Sequence, residues 1–284
     1  MEMGKTPMSV NSVNTNRQAV FALQSLNQTN SELSVTQKRV STGFRVADAR
    51  DDGGAYAVAQ AVRSDVAGVT AVNEQLGGVK GVLQTTFAAL GQVSNTMVQA
   101  RAALTRLADG GISAEQRQQY EEQYRQLSTQ ISQFVNDAKY NGRTLLSTDT
   151  AAAAGGGNLI GVRNEEGASF TIIAENGTAL QLGTAMPTDY AGAATFLTST
   201  FSTVENAIAT ALNKFGASMQ YVENQMVYNS KKNDALLDGV GALVDADLAK
   251  ESANLTALQT RQQLGVQTLS LANQGPQILL SLFR

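Results

Sequence analysis

The sequence has no cysteine, no histidine and no tryptophan, and only three prolines in 284 residues, Pro7, Pro187 and Pro276. The absence of cysteine rules out disulfide staples and thiol nucleophiles. The absence of histidine removes imidazole general bases, and with cysteine also missing, zinc sites of the Cys/His type. So little proline leaves long helices permitted nearly everywhere. Charge is thin as well: Asp, Glu, Lys and Arg make up 16% of the chain, against about 25% in an average globular domain. The net charge of −3 offers no basic face of the kind a dedicated nucleic-acid binder needs. Hydrophobic residues nevertheless reach 43%, enough for a real core. No run approaches the roughly 20 apolar residues of a membrane span, and the opening MEMGKTPMSVNSVNTN has no apolar stretch of signal-peptide type. The expectation is a protein that engages neither nucleic acid nor membrane, and that either stays in the cytoplasm or leaves by a route without a cleaved signal.

Helical periodicity dominates what is present. In the first block, residues 11–40, Ala19, Leu26, Leu33 and Val40 recur every seven positions. A second block, about 49–146, breaks at Asp109, Gly110 and Gly111, after which Ser113 is placed to cap a new helix with Gln116 completing a capping box. Residues 148–190 change character. Ala and Gly stretches lead into two β-forming runs, 159–163 and 169–174, that flank Asn-Glu-Glu-Gly, which predicts a hairpin. The last block returns to helix, with Leu248 and Leu255 seven apart, and Leu264, Leu271 and Ile278 likewise. Gly275-Pro276 is expected to end or kink that helix. The fold class is mainly α with a small β-hairpin insert.

The surroundings of the terminal apolar stripes are unusual. A soluble coiled coil flanks its seam with Lys and Glu. Here Arg17 is the one charged residue between Thr6 and Ser31, and Arg261 the one charged residue across 252–283. Residues 99–143, by contrast, hold eleven charges in 45 positions, so the middle helices are built for water and the ends are not. Uncharged polar surfaces interspersed with Leu avoid the cost of burying ions and can still exchange hydrogen bonds with a neighbour. Alone, such segments bury too little apolar area to offset chain entropy. Both ends are therefore expected to be covered by other subunits.

Several stretches carry a family signature. Residues 244–284, VDADLAKESANLTALQTRQQLGVQTLSLANQGPQILLSLFR, resemble the C-terminus of bacterial flagellins, and 13–33 with 38–60 resemble the flagellin N-terminus. The family's arginine, leucine, serine, serine, glycine element stands here as Arg39, Val40, Ser41, Thr42 and Gly43, and 106–147 with its closing FVNDAKYNGRTLLS is similar too. The resemblance implies a long antiparallel coiled coil or bundle made by the N- and C-terminal segments. Residues 1–40 and 239–284 would form the two halves of an inner helical layer, 41–147 and 191–238 an outer layer, and 148–190 a short hairpin insert. It implies a structural subunit, not an enzyme and without cofactor, exported unfolded by the flagellar type III system. The subunit would then polymerise with itself, alone or mixed with other flagellins, into an extracellular filament for swimming. Further implied partners are the export apparatus, an export chaperone, and junction and cap proteins. Two departures stand out: Gly53 and Gly54 replace the usual alanines, and Gln99 and Ala102 replace an arginine and a glutamate near Arg101, so recognition by the vertebrate flagellin receptor is expected to be weak.

Candidate functional residues act by packing. Leu26, Leu33, Leu248, Leu255, Leu258, Leu264, Leu271 and Phe283 are expected to join the termini to each other and to neighbours. Arg39, Gly43 and Arg45 would shape the bend between helical layers. Asn14, Asn16, Gln259, Gln262, Gln263 and Asn273 are candidates for polar contacts between subunits. Asp48, Asp51 and Asp52 beside Arg45 and Arg50 are read as helix-start carboxylates and surface pairs rather than as a metal site, since acids favour the positive end of a helix. Tyr120, Glu121, Glu122 and Tyr124 are read as a solvated helix face, and the hydroxyls of 195–203 as facing solvent. The alternative within this class is a hook-filament junction protein with flagellin-like termini. A secreted effector or enzyme with borrowed export ends lacks a catalytic constellation to support it.

Overall fold

The computed structural model describes residues 16–147, 155–183, 187 and 189–282, with side chains described through residue 274. Its helices are α1 (Arg17–Thr42), α2 (Gly53–Leu107), α3 (Ala114–Asp137), α4 (Tyr190–Phe196), α5 (Ser202–Val244) and α6 (Leu248–Leu282). Between α3 and α4 lie strands β1 (Leu159–Val162) and β2 (Ser169–Ile172) and a short 3-10 turn, Gly177–Leu180. The chain divides into a terminal unit, built from its two ends up to Arg63 and from Leu236 onward, and a central unit, Ser64–Ala235.

The central unit is held by heptads. Along α2 the buried positions run Val69, Val72, Leu76, Val79, Leu83, Thr86, Leu90, Val93, Met97, Ala100, Leu104 and Leu107, alternating three and four residues apart as a helix seam requires. With no proline between Gly53 and Leu107, nothing interrupts the hydrogen-bond ladder over its 55 residues. On α5, Val204, Ile208, Ala211, Phe215 and Val222 present a matching stripe, and on α3 Tyr124, Leu127, Ile131 and Val135 do the same. Each Val, Leu, Ile, Phe or Met among these contributes roughly 1.5–3 kcal/mol on leaving water. Thr86, buried among them, satisfies its hydroxyl by donating to the Val82 carbonyl at 2.8 Å.

The break after α2 and the capping box fall where the sequence places them. Ser113 Oγ accepts from the Gln116 N–H at 3.2 Å, and Gln116 Oε1 accepts from the Ser113 N–H at 3.0 Å. The hairpin also falls in place, with Leu159 opposite Ile172 and Val162 opposite Ser169, closed by Asn164 accepting from the Ala168 N–H at 2.7 Å. Its ladder is shorter than expected, four residues on each side.

Two expectations need correction. Tyr124 does not belong to a solvated face: it is 1% exposed, edge-on to Phe196, and burial pushes its phenol well above the usual range. The residues around it on α3 are polar, which hid its position. Nor does Gly275-Pro276 end the last helix, since α6 continues to Leu282. A proline removes one donor without stopping a helix, provided the carbonyl it orphans finds another partner.

Between α4 and α5, residues Leu197–Phe201 form a single π turn, so the helical path is continuous from Tyr190 to Val244. The widened carbonyls are partnered by local hydroxyls: Thr198 donates to Ala194 O at 3.2 Å and Ser199 to Thr195 O at 2.7 Å. Thr195, Thr198, Ser199, Thr200 and Thr203 are exposed.

Candidate assembly surface

Helices α1 and α6 form an antiparallel pair. Asn16 meets Ala272, Leu26 lies over Gly265, Gln262 meets Asn30, and Arg39 meets Glu251. On α1 the inward positions are Ala19, Leu26, Leu33, Thr36 and Val40. On α6 they are Glu251, Leu255, Leu258, Gln262, Gly265, Leu269 and Ala272, again spaced three and four apart. Gly265 is needed for the close approach: a Cβ there would stand 3.2 Å from Leu26 Cδ1.

The start of α1 is fixed by Asn16, whose Oδ1 accepts from the Ala19 N–H at 3.1 Å. Its end is fixed by Gly43, in the left-handed region at φ 75°, whose N–H donates to Arg39 O at 2.9 Å. The chain then pairs briefly with the end of α5 and the linker that follows it. Gly43 O accepts from Ala246 N at 2.9 Å, and Val244 O accepts from Arg45 N at 2.7 Å and Val46 N at 3.2 Å. Phe44 and Asp245 form an antiparallel bridge. The Arg45 guanidinium donates to Leu243 O at 2.6 Å. A small core of Val46, Ala59, Val240 and Val244 seals the junction.

Charges concentrate at this junction. Lys38 Nζ sits 2.9 Å from Asp48 and 2.8 Å from Asp51, and Arg50 reaches Asp48 at 3.3 Å. The Lys38 ammonium holds both carboxyls below the usual range, helped by the backbone N–H groups of Arg50 at Asp48 and of Ala47 at Asp51. Its own ionisation is raised in return, Asp51 contributing most. These directions strengthen existing charges, the mark of pairing rather than of a proton-transfer group poised near neutrality. Asp52 accepts from the N–H groups of Gly54 and Ala55 at 3.0 Å and starts α2.

The candidate residues divide into two sets. Leu26, Leu33, Leu255 and Leu258 lie in the seam between α1 and α6, while Leu248, Leu264 and Leu271 face outward and are exposed, Leu271 at 67%. Arg39, Gly43 and Arg45 come together with α6 and the linker after α5. Of the polar candidates, Asn16 and Gln262 hydrogen-bond inside the chain, Gln262 to Asn30 at 2.8 Å, while Gln259, Gln263 and Asn273 are exposed. Asn14 and Phe283 lie outside the described residues. Arg101 pairs with Glu205 and covers the Phe201 ring at 5.3 Å.

The pair buries little for its length. Only Leu33 and Thr36 on α1 and Leu258 among the described side chains of α6 are fully covered. Val20, Phe21, Leu23 and Val35 on one helix, and Leu248, Leu264, Val266 and Leu271 on the other, are left in water. Phe21 and Leu271 face each other across a groove completed by Gln18, Ala22, Thr268 and Ala272. Around Val20, Phe21 and Leu23 on α1, and around Leu264, Val266 and Leu271 on α6, the sequence from 18 to 31 and from 262 to 274 holds no charged residue.

Sequence reasoning missed a second polar cluster. In the central unit the α5 seam turns polar at Gln225, Asn229 and Lys232, a change visible in the sequence, and the hairpin turn covers it. Arg163 O accepts from Gln225 at 3.0 Å and Asn229 at 3.2 Å, and Glu165 pairs with Lys232.

Comparison with known proteins matches this geometry. Residues 13–151 match the family described as bacterial flagellin N-terminal helical region, and 201–283 its C-terminal helical region. The flagellin FljK of Caulobacter vibrioides is 35% identical over 280 residues, covering 98% of this chain and 100% of that protein. A flagellin of Brucella melitensis is 33% identical, covering 96% of this chain and 99% of that one. The similarity thus runs through the hairpin insert as well as the ends. Among solved structures, a crystal structure of Bacillus cereus flagellin superposes with a TM-score of 0.50 at 25% identity, over 55% of this chain and 88% of that one.

Proposed function

The chain belongs to the bacterial flagellin family, whose members are structural subunits of the flagellar filament, and from that premise we propose that the outward faces of its α1–α6 pair are the surface through which successive copies polymerise. The observation that carries this reading is the incomplete burial of that pair: among the described side chains, Val20, Phe21, Leu23, Leu264, Val266 and Leu271 stay in water on two stretches, 18–31 and 262–274, that hold no charged residue. A second copy of the same surface supplies apolar and uncharged polar groups alike, so along 18–31 and 262–274 no ion need be desolvated when the faces meet. Packing of many such pairs would build the inner helical layer, 1–40 with 239–284, while 41–147 and 191–238 form the outer one and 148–190 a lean exterior. In keeping with the family, the subunit leaves the cell unfolded through the flagellar type III apparatus with a chaperone's help. It joins junction and cap proteins at the filament and serves swimming motility.

The test is seeded growth of purified full-length chain. Leu271→Ser removes an outward side chain without touching the seam, so the critical monomer concentration should rise about tenfold while the melting of the central unit is unchanged. An unaltered critical concentration would show that the outward face is not the contact between copies.

A further inference from the structure

In an α-helix the carbonyl of residue i accepts from the N–H of residue i+4. Proline has no such N–H, so Pro276 leaves the carbonyl of Ala272 without its helical partner. Yet α6 runs through this point to Leu282. Ala272 occupies an inward position of the α6 seam and is half-buried against α1. What reaches its carbonyl is the Asn16 side chain, whose Nδ2 donates at 2.6 Å.

The other end of the same amide is also engaged: Asn16 Oδ1 accepts from the Ala19 N–H and starts α1. One side chain therefore begins the first helix and mends the gap in the last, across 256 positions of sequence. Other residues do not combine the two tasks. Asp caps a helix well but has no N–H to give, Ser and Thr bring a single short hydroxyl, and Ala does neither.

We propose that Asn16 is a positioning residue for assembly, which locks the start of α1 to α6 at Ala272 by giving that residue the hydrogen bond that Pro276 cannot. The lock holds the walls of the groove in which Phe21 and Leu271 stand, Gln18, Phe21 and Ala22 on α1 against Thr268, Leu271 and Ala272 on α6. A neighbouring copy thus meets a groove of fixed width instead of two splayed helix ends. The inference rests on the assembly reading above and adds to it the residue that shapes the surface.

Four full-length proteins test it: wild type, Asn16→Asp, Pro276→Ala and the double variant. Asn16→Asp keeps the cap acceptor and loses the donor, adding a carboxylate charge that both backgrounds share, while Pro276→Ala returns the missing N–H to the helix, so that Ala272 no longer needs Asn16. Seeded growth followed by sedimentation gives the critical monomer concentration of each, and the melting of the central unit confirms that folding elsewhere is unchanged. Asn16→Asp should raise the critical concentration about five- to tenfold when Pro276 is present and by less than about twofold when it is alanine. A capping residue with no link to the proline gap would show the same factor in both backgrounds, and that result, or no effect of Asn16→Asp on wild type, would overturn the inference while leaving the assembly reading intact. Failure of the wild-type chain itself to grow from seeds would overturn both.

Discussion

Gly43 offers a perturbation whose cost can be worked out before it is made. Its φ of 75° lies in the left-handed region, and a Cβ built there meets nothing within 4 Å. Substitution is therefore penalised by backbone conformation alone, with no steric contribution. For alanine this amounts to roughly 1–2 kcal/mol. Asparagine, which tolerates the left-handed region, should cost less, and a β-branched residue more. The chain cannot escape by rotating, because the Gly43 N–H is committed to Arg39 O and the Gly43 carbonyl to Ala246 N, both at 2.9 Å. Since 1.4 kcal/mol is a factor of ten, the critical concentration for seeded growth should rise about five- to thirtyfold for Gly43→Ala, further for Gly43→Val, and by no more than about threefold for Gly43→Asn. The order of the three is the decisive quantity. Equal effects of Asn and Val would refute the conformational explanation and point to an unrecognised contact of the glycine surface itself.

Two further predictions concern the central unit. Phe215→Ala removes a fully buried ring from the α5 seam and should cost about 3–5 kcal/mol, read as a lower melting temperature of that unit. Glu165, paired with Lys232, has its ionisation lowered from the ordinary 4.5 by that ammonium first and by a backbone N–H second. A lowered folded-state value means that the pair's contribution is complete above about pH 4.5 and is lost as the pH falls through the lower folded value. Thermal melts from pH 7 to 3 should therefore show a loss of stability at the acid end that Glu165→Gln lacks, and parallel curves for the two proteins would contradict the assignment.

The elements most legible in the sequence were those fixed by local chemistry. Ser113 with Gln116, the Asp-Gly-Gly break and the Asn-Glu-Glu-Gly turn each announce their geometry within a few residues, and the structure has all three. The hydrophobic periods were legible too, but a period does not state which neighbour it faces. Leu255 and Leu264 belong to the same kind of pattern, yet one lies in the seam and the other in water, because the choice depends on how α6 is rotated against a helix more than two hundred residues away. Tyr124 was misplaced for a related reason. Its polar neighbours on α3 describe the outer face of the helix, and a single buried residue every third or fourth position is easily overlooked among Gln and Glu. Of the two outcomes expected at Gly275-Pro276, an end or a kink, the end is excluded by the continuation of α6 to Leu282, and the side chain that reaches the Ala272 carbonyl, Asn16, lies 256 positions away where no local pattern announces it.

The antiparallel pairing of the first described helix with the last has a consequence for the order of events. The two halves of that pair stand more than two hundred positions apart, so a chain interrupted before Leu248 cannot form it. Such a chain carries α1 without its complement. Under the proposed assembly, a fragment of this kind lacks one wall of the contact surface, so its topology alone would bar it from the polymer.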